Sequence, residues 1–294
     1  MKIFRHAKNV HHIEVTGLRF RIAMLSDIHW DNPKCDWDLL KKHLNYCLEN
    51  QIPIHLNGDT FCLMQGSYDP RKVKGNIRPE HNTPRYFDAV VETAAEFFAP
   101  YAHLLTVVGY GNHETSILRR QEIDQVQRFV DLMNFREKTN IQAGGYGGWL
   151  IIRQKKPNDN TSWSTHIKYH HGIGNGGIVT RGALQMNRAL TMFENYDVFT
   201  HGHTQDNSCM NLSRDTIEIK PKTGYKMVQK NIHTMLTGTY KNDYSDGAMG
   251  WAIERGHPPK PTGGRILEIN CKRTNERPVT RTIKLIDSYK FPIA

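Results

Sequence analysis

Five apolar stretches of this chain each run into a short polar segment that contains Asp, Asn, His or Gly. The segments are DIH (27–29), GD (58–59), GNHE (111–114), HHG (170–172) and HGH (201–203). Apolar runs followed by polar loops are typical of buried β-strands. Neighbouring strands bring the loops at their ends together, so we expect these segments to converge on one crevice. Their carboxylate, amide and imidazole groups suit divalent first-row metals such as Mn, Fe, Zn or Co, and a shared carboxylate could bridge two ions.

Apolar residues recur at helical spacing between these strands. The helical segments are 37–48, 82–100, 123–133 and 183–193. The second should begin near Asn82 and Pro84, which suit a cap and a first turn, and should stop by Pro100. Alternation of strands and helices predicts an α/β fold.

The last third of the chain has a different pattern. TIEIKPK (216–222), KNIHTML (230–236), RILEINCK (265–272) and TRTIKLID (280–287) alternate with the period of a β-strand. We expect them to form a second, largely antiparallel sheet that packs on the first. Residues 240–264 are rich in Gly, Pro and aromatic residues, and a loop of this length is more often a functional cover than filler, which predicts a lid.

Length and composition limit the possible classes of protein. With 294 residues and 38% hydrophobic content, the chain can bury a substantial core, and we expect a single domain over residues 1–294. No apolar run approaches the roughly 20 residues that span a bilayer, and the N-terminal MKIFRHAKNVHH lacks the apolar centre of a signal peptide. Five scattered cysteines suit reduced thiols. These features predict a cytoplasmic protein without membrane contact.

The charge balance favours acidic partners. The formal net charge is +10, which attracts polyanions over long distances, and nucleic acid is the commonest such partner. Lysines and arginines that only solvate the surface explain the composition equally well. The oligomeric state is left open by these features.

The order DxH, GD, GNHE, HG and GH resembles the motif order of the calcineurin-like metallophosphoesterase superfamily. The matching segments span Asp27 to Gln205, about two thirds of the chain. The resemblance implies an α/β sandwich of two mixed β-sheets flanked by helices. It also implies a binuclear metal-dependent phosphoesterase in which a metal-bridging hydroxide attacks the phosphate ester.

The resemblance also implies a role for each motif residue. It implies two divalent metal ions, with Mn expected in vitro and Fe, Zn or Co as alternatives, that share the Asp59 carboxylate. The other implied ligands are Asp27 and His29 for the first metal, and Asn112, His171 and His203 for the second. His113 would face the leaving group and act as the general acid.

Gln205 departs from the pattern of this superfamily. The motif usually ends as GHxH, and Gln205 stands where a second histidine ligand of the first metal is expected. A glutamine oxygen is a poorer ligand than imidazole, so the first site is weaker or completes its shell with water. In an alternative register His201 and His203 form the HxH pair. In the first register, His201 is either a partner of a metal-binding residue or a packed residue of its strand.

A basic group follows the GD motif. Arg71 and Arg78, together with two lysines, lie in a loop that could overhang the metals and bind a polyanionic substrate. A solvated surface loop is the alternative.

We expect the chain to cleave a phosphodiester in nucleic acid or in a nucleotide. One alternative is a phosphomonoesterase, including a protein serine/threonine phosphatase. That branch continues its GD motif with Asp-Arg-Gly, whereas TFCLMQG follows Asp59 here. A second alternative is a binding module that keeps the fold without catalysis.

Overall fold

The strands lie in two mixed sheets in a computed structural model that describes residues 1–65, 72, 77–174, 177–220, 224–245, 249, 251–274 and 277–287. The strands are β1 (Lys2–Ala7), β2 (Val10–Thr16), β3 (Arg19–Leu25), β4 (Ile54–Leu56), β5 (Leu105–Val108), β6 (Gln142–Ala143), β7 (Gly147–Lys155), β8 (Ser162–His170), β9 (Val198–His201), β10 (Cys209–Lys220), β11 (Gly224–Leu236), β12 (Arg265–Thr274) and β13 (Arg277–Asp287). The helices are α1 (Trp37–Glu49), α2 (Tyr86–Phe98), α3 (Asn112–Gln121), α4 (Gln125–Glu137), α5 (Ala183–Met192) and the short α6 (Trp251–Glu254).

The two sheets differ in size and strand direction. The seven-stranded sheet has the order β1-β2-β7-β8-β9-β11-β10, and the six-stranded sheet has the order β13-β12-β3-β4-β5-β6. In the six-stranded sheet β3, β4, β5 and β6 are parallel, while β12 and β13 extend it in antiparallel pairing. In the seven-stranded sheet β8, β9 and β11 are parallel neighbours. The expected sandwich of two mixed sheets is confirmed.

Three apolar layers hold the sandwich together. Between the sheets, Ile22 and Met24 of β3 pack with side chains such as Leu150 and Ile167 of the other sheet. On the outer face of the six-stranded sheet, helices α1 to α4 bury their apolar sides. Helix α5 covers part of the seven-stranded sheet beside Phe199. Strands β3, β4, β5 and β9 bury side chains on both faces, because each lies between two other layers.

The expectation of a separate antiparallel sheet in the last third of the chain is wrong. Strands β10 and β11 extend the seven-stranded sheet next to β9, whereas β12 and β13 extend the six-stranded sheet next to β3. The alternation predicted the four strands correctly, because it depends only on which side chains share a face of a strand. It does not report which neighbour supplies the hydrogen bonds.

The helices agree with the helical spacing in the sequence, apart from their ends. Helix α2 begins at Tyr86, later than the expected Asn82 or Pro84, because Pro79–His81 form a separate 3-10 turn. It stops at Phe98, as expected from Pro100. Helix α3 and strands β1 and β2 were not anticipated. None of the helices in the described part of the chain has the length and apolar character needed to cross a membrane.

The segment 240–264, expected to be a lid, is anchored at its beginning. Tyr240 is fully buried, and its hydroxyl lies 2.9 Å from Nδ1 of His43 on α1. Residues 246–248 and 250 lie outside the described residues. A lid function for the remainder stays a prediction.

A buried histidine between the sheets generates a prediction about pH. Burial lowers the pKa of His55 on β4 from its ordinary 6.5 to about 3, so the folded protein keeps this ring neutral while the unfolded chain takes up a proton. Stability is therefore full above pH 6.5 and falls as the pH drops below it. At pH 5 the expected loss from this residue is about 2 kcal/mol relative to pH 7.5.

Urea unfolding of wild type and His55→Gln at the two pH values measures this loss. The variant should show a smaller pH-dependent decrease in unfolding free energy. His103→Gln, which removes an exposed histidine, is the matched control and should behave like wild type. An equal decrease in wild type and His55→Gln would contradict the buried neutral state.

Candidate metal centre

The five motif segments meet at one edge of the sandwich. Strands β3, β4 and β5 point their carboxyl ends to this edge from one sheet, and β8 and β9 do so from the other. Hydrogen bonds join the two sheets there. The amide of Asn57 donates to the His170 carbonyl at 3.1 Å, and the backbone N–H of His203 donates to Oδ2 of Asp27 at 2.9 Å. Residues distant in sequence therefore surround one crevice.

The carboxylate of Asp59 lies at the centre of this cluster. It is 2% exposed. Its Oδ1 accepts the backbone N–H of His113 at 3.1 Å, and its Oδ2 lies 3.2 Å from Nε2 of His171. Burial alone would raise the pKa of Asp59, but the surrounding imidazoles, His171 first, hold it well below its ordinary value. Asp59 is therefore an anion that needs positive charge around it.

His171 is oriented by a backbone carbonyl just after β4. Its Nδ1–H donates to the Asn57 carbonyl at 2.9 Å, so Nε2 points into the crevice. There Nε2 lies 3.1 Å from Oδ1 of Asn112 and 3.2 Å from Oδ2 of Asp59. Burial opposes protonation, but the Asp59 charge outweighs it and raises the pKa of His171 to about 10. A cation at this position would interact with all three groups.

Asp27 and His29 form the other side of the cluster. Ser26 donates to Oδ2 of Asp27 at 2.6 Å, while burial raises the pKa of Asp27 to about 6. Burial also lowers the pKa of His29 well below its ordinary value, so this ring is neutral and able to bind a metal. The side-chain amide of Gln205 approaches His29, with 3.2 Å between Nε2 of each. A half-turn of the amide would present its oxygen at the same point.

Two of the ligand groups in this crevice share one residue. Asp27, His29 and Asp59 form one group and Asp59, His171 and His203 form another, with the ligand atoms of each group within 4.8 Å of one another. These groups coincide with the ligand sets that the resemblance implies, and Asn112 adjoins the second through His171. The clustered histidines and aspartates could therefore bind divalent metal. The number and identity of the ions stay predictions.

The unpaired atoms of the cluster fit such ions. Oδ1 of Asp27 and Nδ1 of His29 are buried without a hydrogen-bond partner among the described residues. Buried polar atoms are normally paired, so each such atom requires an explanation. Carboxylate, amide and imidazole donors together suit first-row divalent ions.

The backbone at the predicted ligands is strained. Asp27, His29, Asp59, His203 and Gln205 all have positive φ, between 48° and 63°. Such a conformation costs a non-glycine residue about 1–3 kcal/mol and tends to occur at functional sites. The strain turns these side chains towards one point.

Two glycines let the backbones approach one another. A Cβ at Gly111 would lie 2.0 Å from Oδ1 of Asp59, and a Cβ at Gly58 would lie 2.6 Å from Nδ1 of His171. Gly58 also has a φ of +85°. Side chains at these positions would displace the ligands, which explains glycine in GD and GNHE.

Two buried carboxylates hold the loop after β4. The sequence motifs predicted no role for either. Glu114, in the first turn of α3, accepts the backbone N–H groups of Asp59 at 3.1 Å, Phe61 at 3.0 Å and Gly111 at 2.8 Å. Asp31 accepts those of Cys62 at 2.6 Å and of the next residue. The capping-box position of Glu114 was a usable sequence signal. Asp31 had no comparable signal.

His113 lies at the rim of the cluster, where its side chain is 13% exposed. Its Nδ1–H donates to the Cys62 carbonyl at 2.5 Å, and its Nε2 lies 3.8 Å from Oδ2 of Asp59. The rings of His113 and His29 meet edge to face with centroids 4.9 Å apart. The backbone thus orients His113 so that Nε2 is directed to the cluster.

Other residues considered from the sequence contribute no atom to these groups. His201, at the end of β9, is buried, and burial lowers its pKa to about 3. It belongs to none of the metal-ligand groups formed by described residues. The guanidinium of Arg78 lies between Trp30 and Trp37, 4.7 Å and 4.2 Å from their ring centroids, and it pairs with Glu80. Arg71 lies outside the described residues.

The loop after β11 adds a cation, Lys241, that no sequence motif indicated. The Tyr240 N–H and the Thr239 hydroxyl both donate to the carbonyl of Asp27, at 3.0 Å and 2.9 Å. The next residue, Lys241, pairs with Asp243, which also accepts from Lys34 at 3.2 Å. Two ammonium groups thus flank one carboxylate beside the first ligand group.

The chain has distant similarity to several solved structures. A scan against models of protein families finds no match, and neither does a search of curated proteins. GAP50, the anchor in the inner membrane complex of Plasmodium, has 10% identity and a TM-score of 0.44 over 94% of this chain and 87% of its own. Vps29 of Chaetomium thermophilum has 8% identity and a TM-score of 0.35 over 91% and 95%.

A metallophosphoesterase from Sphaerobacter thermophilus has 13% identity and a TM-score of 0.32 over 91% of this chain and 90% of its own. At these identities and TM-scores the likeness is not a basis for a shared activity. The two mixed sheets with flanking helices and the converging motif segments agree with the fold that the motif resemblance implies. The resemblance drawn from the motifs is confirmed at the level of the fold.

The shared position of Asp59 yields a prediction about metal binding. Asp59→Asn keeps the shape of the side chain but removes the charge that both ligand groups use, so both ions should be lost. Wild type should bind two equivalents of Mn²⁺ after dialysis, and the variant fewer than one, as measured by elemental analysis and calorimetry.

Asp131→Asn, on the exposed side of α4, is the control and should bind like wild type. Thermal unfolding in chelator should show that Asp59→Asn still folds, because the change removes a buried charge. Full Mn²⁺ binding by Asp59→Asn would show that this carboxylate is not shared between two ions.

Proposed function

We propose that this chain is a two-metal phosphoesterase that hydrolyses phosphodiesters of nucleic acids or nucleotides. The observation that carries the proposal is the position of Asp59 in two ligand groups at once, with His113 beside them. When bound, two divalent cations would activate a water molecule and neutralise charge on the phosphoryl oxygens.

His113 would supply the proton that the leaving oxygen needs. Its Nδ1–H is held by the Cys62 carbonyl, so the proton to be transferred is carried on Nε2. The partial exposure of His113 lets a substrate oxygen reach this nitrogen and lets solvent return the proton afterwards. His113 would thus be a donor held beside the Asp59 carboxylate.

The hydrogen-bond partner of His113 favours a phosphodiesterase over a protein phosphatase. The protein phosphatase pattern supplies a carboxylate at this point, whereas His113 here donates to a carbonyl. A carbonyl fixes the tautomer without adding a negative charge near the substrate. The resulting site suits an extended polyanion.

The distribution of basic residues supports a nucleic-acid substrate. Lys34 and Lys241 are 23% and 20% exposed and share Asp243, which leaves a local excess of positive charge next to the first ligand group. They could contact a phosphate next to the one that is cleaved. The net charge of +10 adds long-range attraction.

The proton-donor role predicts a dependence on the leaving group. His113→Ala should retain its Mn²⁺ content and lose about 10²–10⁴-fold in kcat on a dinucleoside phosphate, whose alkoxide leaves poorly. On bis-p-nitrophenyl phosphate the loss should be much smaller, because p-nitrophenolate leaves without a proton. Steady-state rates on the two substrates give this comparison.

His103→Ala, an exposed histidine, is the control and should leave both rates at the wild-type level. Equal losses on the two substrates would contradict proton donation by His113.

The proposed substrate class is tested with Lys241→Gln. We expect the Mn²⁺-loaded wild type to hydrolyse a single-stranded oligonucleotide faster than a cyclic dinucleotide or p-nitrophenyl phosphate. The variant should lower kcat/KM for the oligonucleotide about tenfold and reduce its salt dependence, because one phosphate contact is lost. Rates at two salt concentrations measure both effects.

Lys156→Gln is the matched control, because Lys156 follows β7 at the end of the strand opposite the crevice. Turnover of the monoester alone would favour a phosphomonoesterase. Fewer than one equivalent of metal, with no turnover of any of these substrates, would favour a binding module.

A further inference from the structure

A third group of metal-ligating atoms lies next to the two that share Asp59. The thiol of Cys62 and one ring nitrogen each of His29 and His113 all lie within 4.8 Å of one another. Cys62 follows Asp59 by three residues, and neither the motif pattern nor the proposed reaction gives its side chain a role. This group contains sulfur and nitrogen only, whereas the other two each contain carboxylate oxygen.

The backbone at Cys62 is firmly held. Its N–H donates to Oδ1 of Asp31 at 2.6 Å, and its carbonyl accepts from His113 at 2.5 Å. Asp31 is fixed in turn by the hydroxyl of Tyr86, which donates to Oδ2 at 2.5 Å. The Asn32 amide donates to the Cys62 sulfur at 3.3 Å. The thiol is thus 3% exposed and preorganised, without a disulfide partner.

The donor type determines which ions such a group prefers. Thiolate and imidazole bind Zn²⁺ and Cd²⁺ strongly, whereas Mn²⁺ and Mg²⁺ prefer oxygen ligands. On binding, the ion displaces the thiol proton, which passes to the solvent, and forms a bond to sulfur.

We infer that His29, Cys62 and His113 form a separate site for a thiophilic divalent cation, Zn²⁺ or Cd²⁺. The site competes with the oxygen-rich arrangement, because an ion held there uses His29, a ligand of the first group. It also engages His113, so the ion inhibits the reaction. The inhibition rests on the proposed function, whereas the binding does not.

Cadmium is the probe, because a cadmium–thiolate bond gives a charge-transfer absorption in the ultraviolet. Metal-free full-length protein is titrated with CdCl₂. Wild type and Cys209→Ser, which removes the exposed cysteine, should both develop the band with about one equivalent at the inferred site. In Cys62→Ser the absorption band should be at most one tenth as strong as in Cys209→Ser. A band of undiminished strength in Cys62→Ser would overturn the inference.

His113→Ala separates this site from a lone thiol. It keeps the sulfur, so the band should remain, but the affinity for Cd²⁺ should fall at least tenfold because one of three ligands is lost. Unchanged affinity would overturn the three-residue site. Mn²⁺ binding by Cys62→Ser and His113→Ala, at the wild-type stoichiometry, serves as the check that both variants fold.

Inhibition forms a separate arm of the experiment. If the Mn²⁺-loaded protein hydrolyses a phosphodiester, Cys62→Ser should require at least tenfold more Cd²⁺ than Cys209→Ser for half inhibition. Equal sensitivity would overturn the competition between the sites. If wild type has no turnover, the proposed function fails while the absorption titration still decides whether the site exists.

Discussion

The pairing of the buried Asp59 carboxylate is the interaction on which the crevice depends. An ionised group at 2% exposure is costly unless it is paired. The pairing comes from both sheets: His171 reaches it from the end of β8, and the backbone N–H of His113 reaches it from α3. The same edge is closed by the bond between His203 and Asp27. The groups that pair Asp59 and Asp27 therefore come from both sides of the sandwich.

The crevice is built at an energetic cost that the surrounding structure offsets. Positive φ values at the predicted ligands would relax in an isolated loop. The loop that carries Asp59 is held because Glu114 accepts three backbone N–H groups, that of Asp59 included, and Asp31 accepts two more. These carboxylates act on the backbone rather than on a substrate. A strained loop fixed in this way holds Asp59 and Cys62 at defined positions, which is what a site for cations needs.

Under the proposed function, the proximity of oxygen-rich and sulfur-containing groups links the choice of metal to activity. His29 belongs to one group of each kind. An ion that prefers oxygen leaves the imidazole of His113 available to a leaving group, while a thiophilic ion engages it. Lys241 adds a fixed positive charge nearby. Ion identity and substrate charge thus act on the same few side chains.

The sequence by itself determined the ends of the strands that carry the motifs, four of the helices, and the chemical types of the residues that meet in the crevice. Periodicity and local motifs carry this information, because they depend on residues close together in the chain. The tertiary structure alone decided that β10 and β11 join one sheet and β12 and β13 the other. It also decided that Arg78 lies over the rings of two tryptophans, and that Lys241 and Cys62 lie beside the motif residues. These features depend on contacts between segments far apart in sequence, and alternation within one strand does not specify its neighbour.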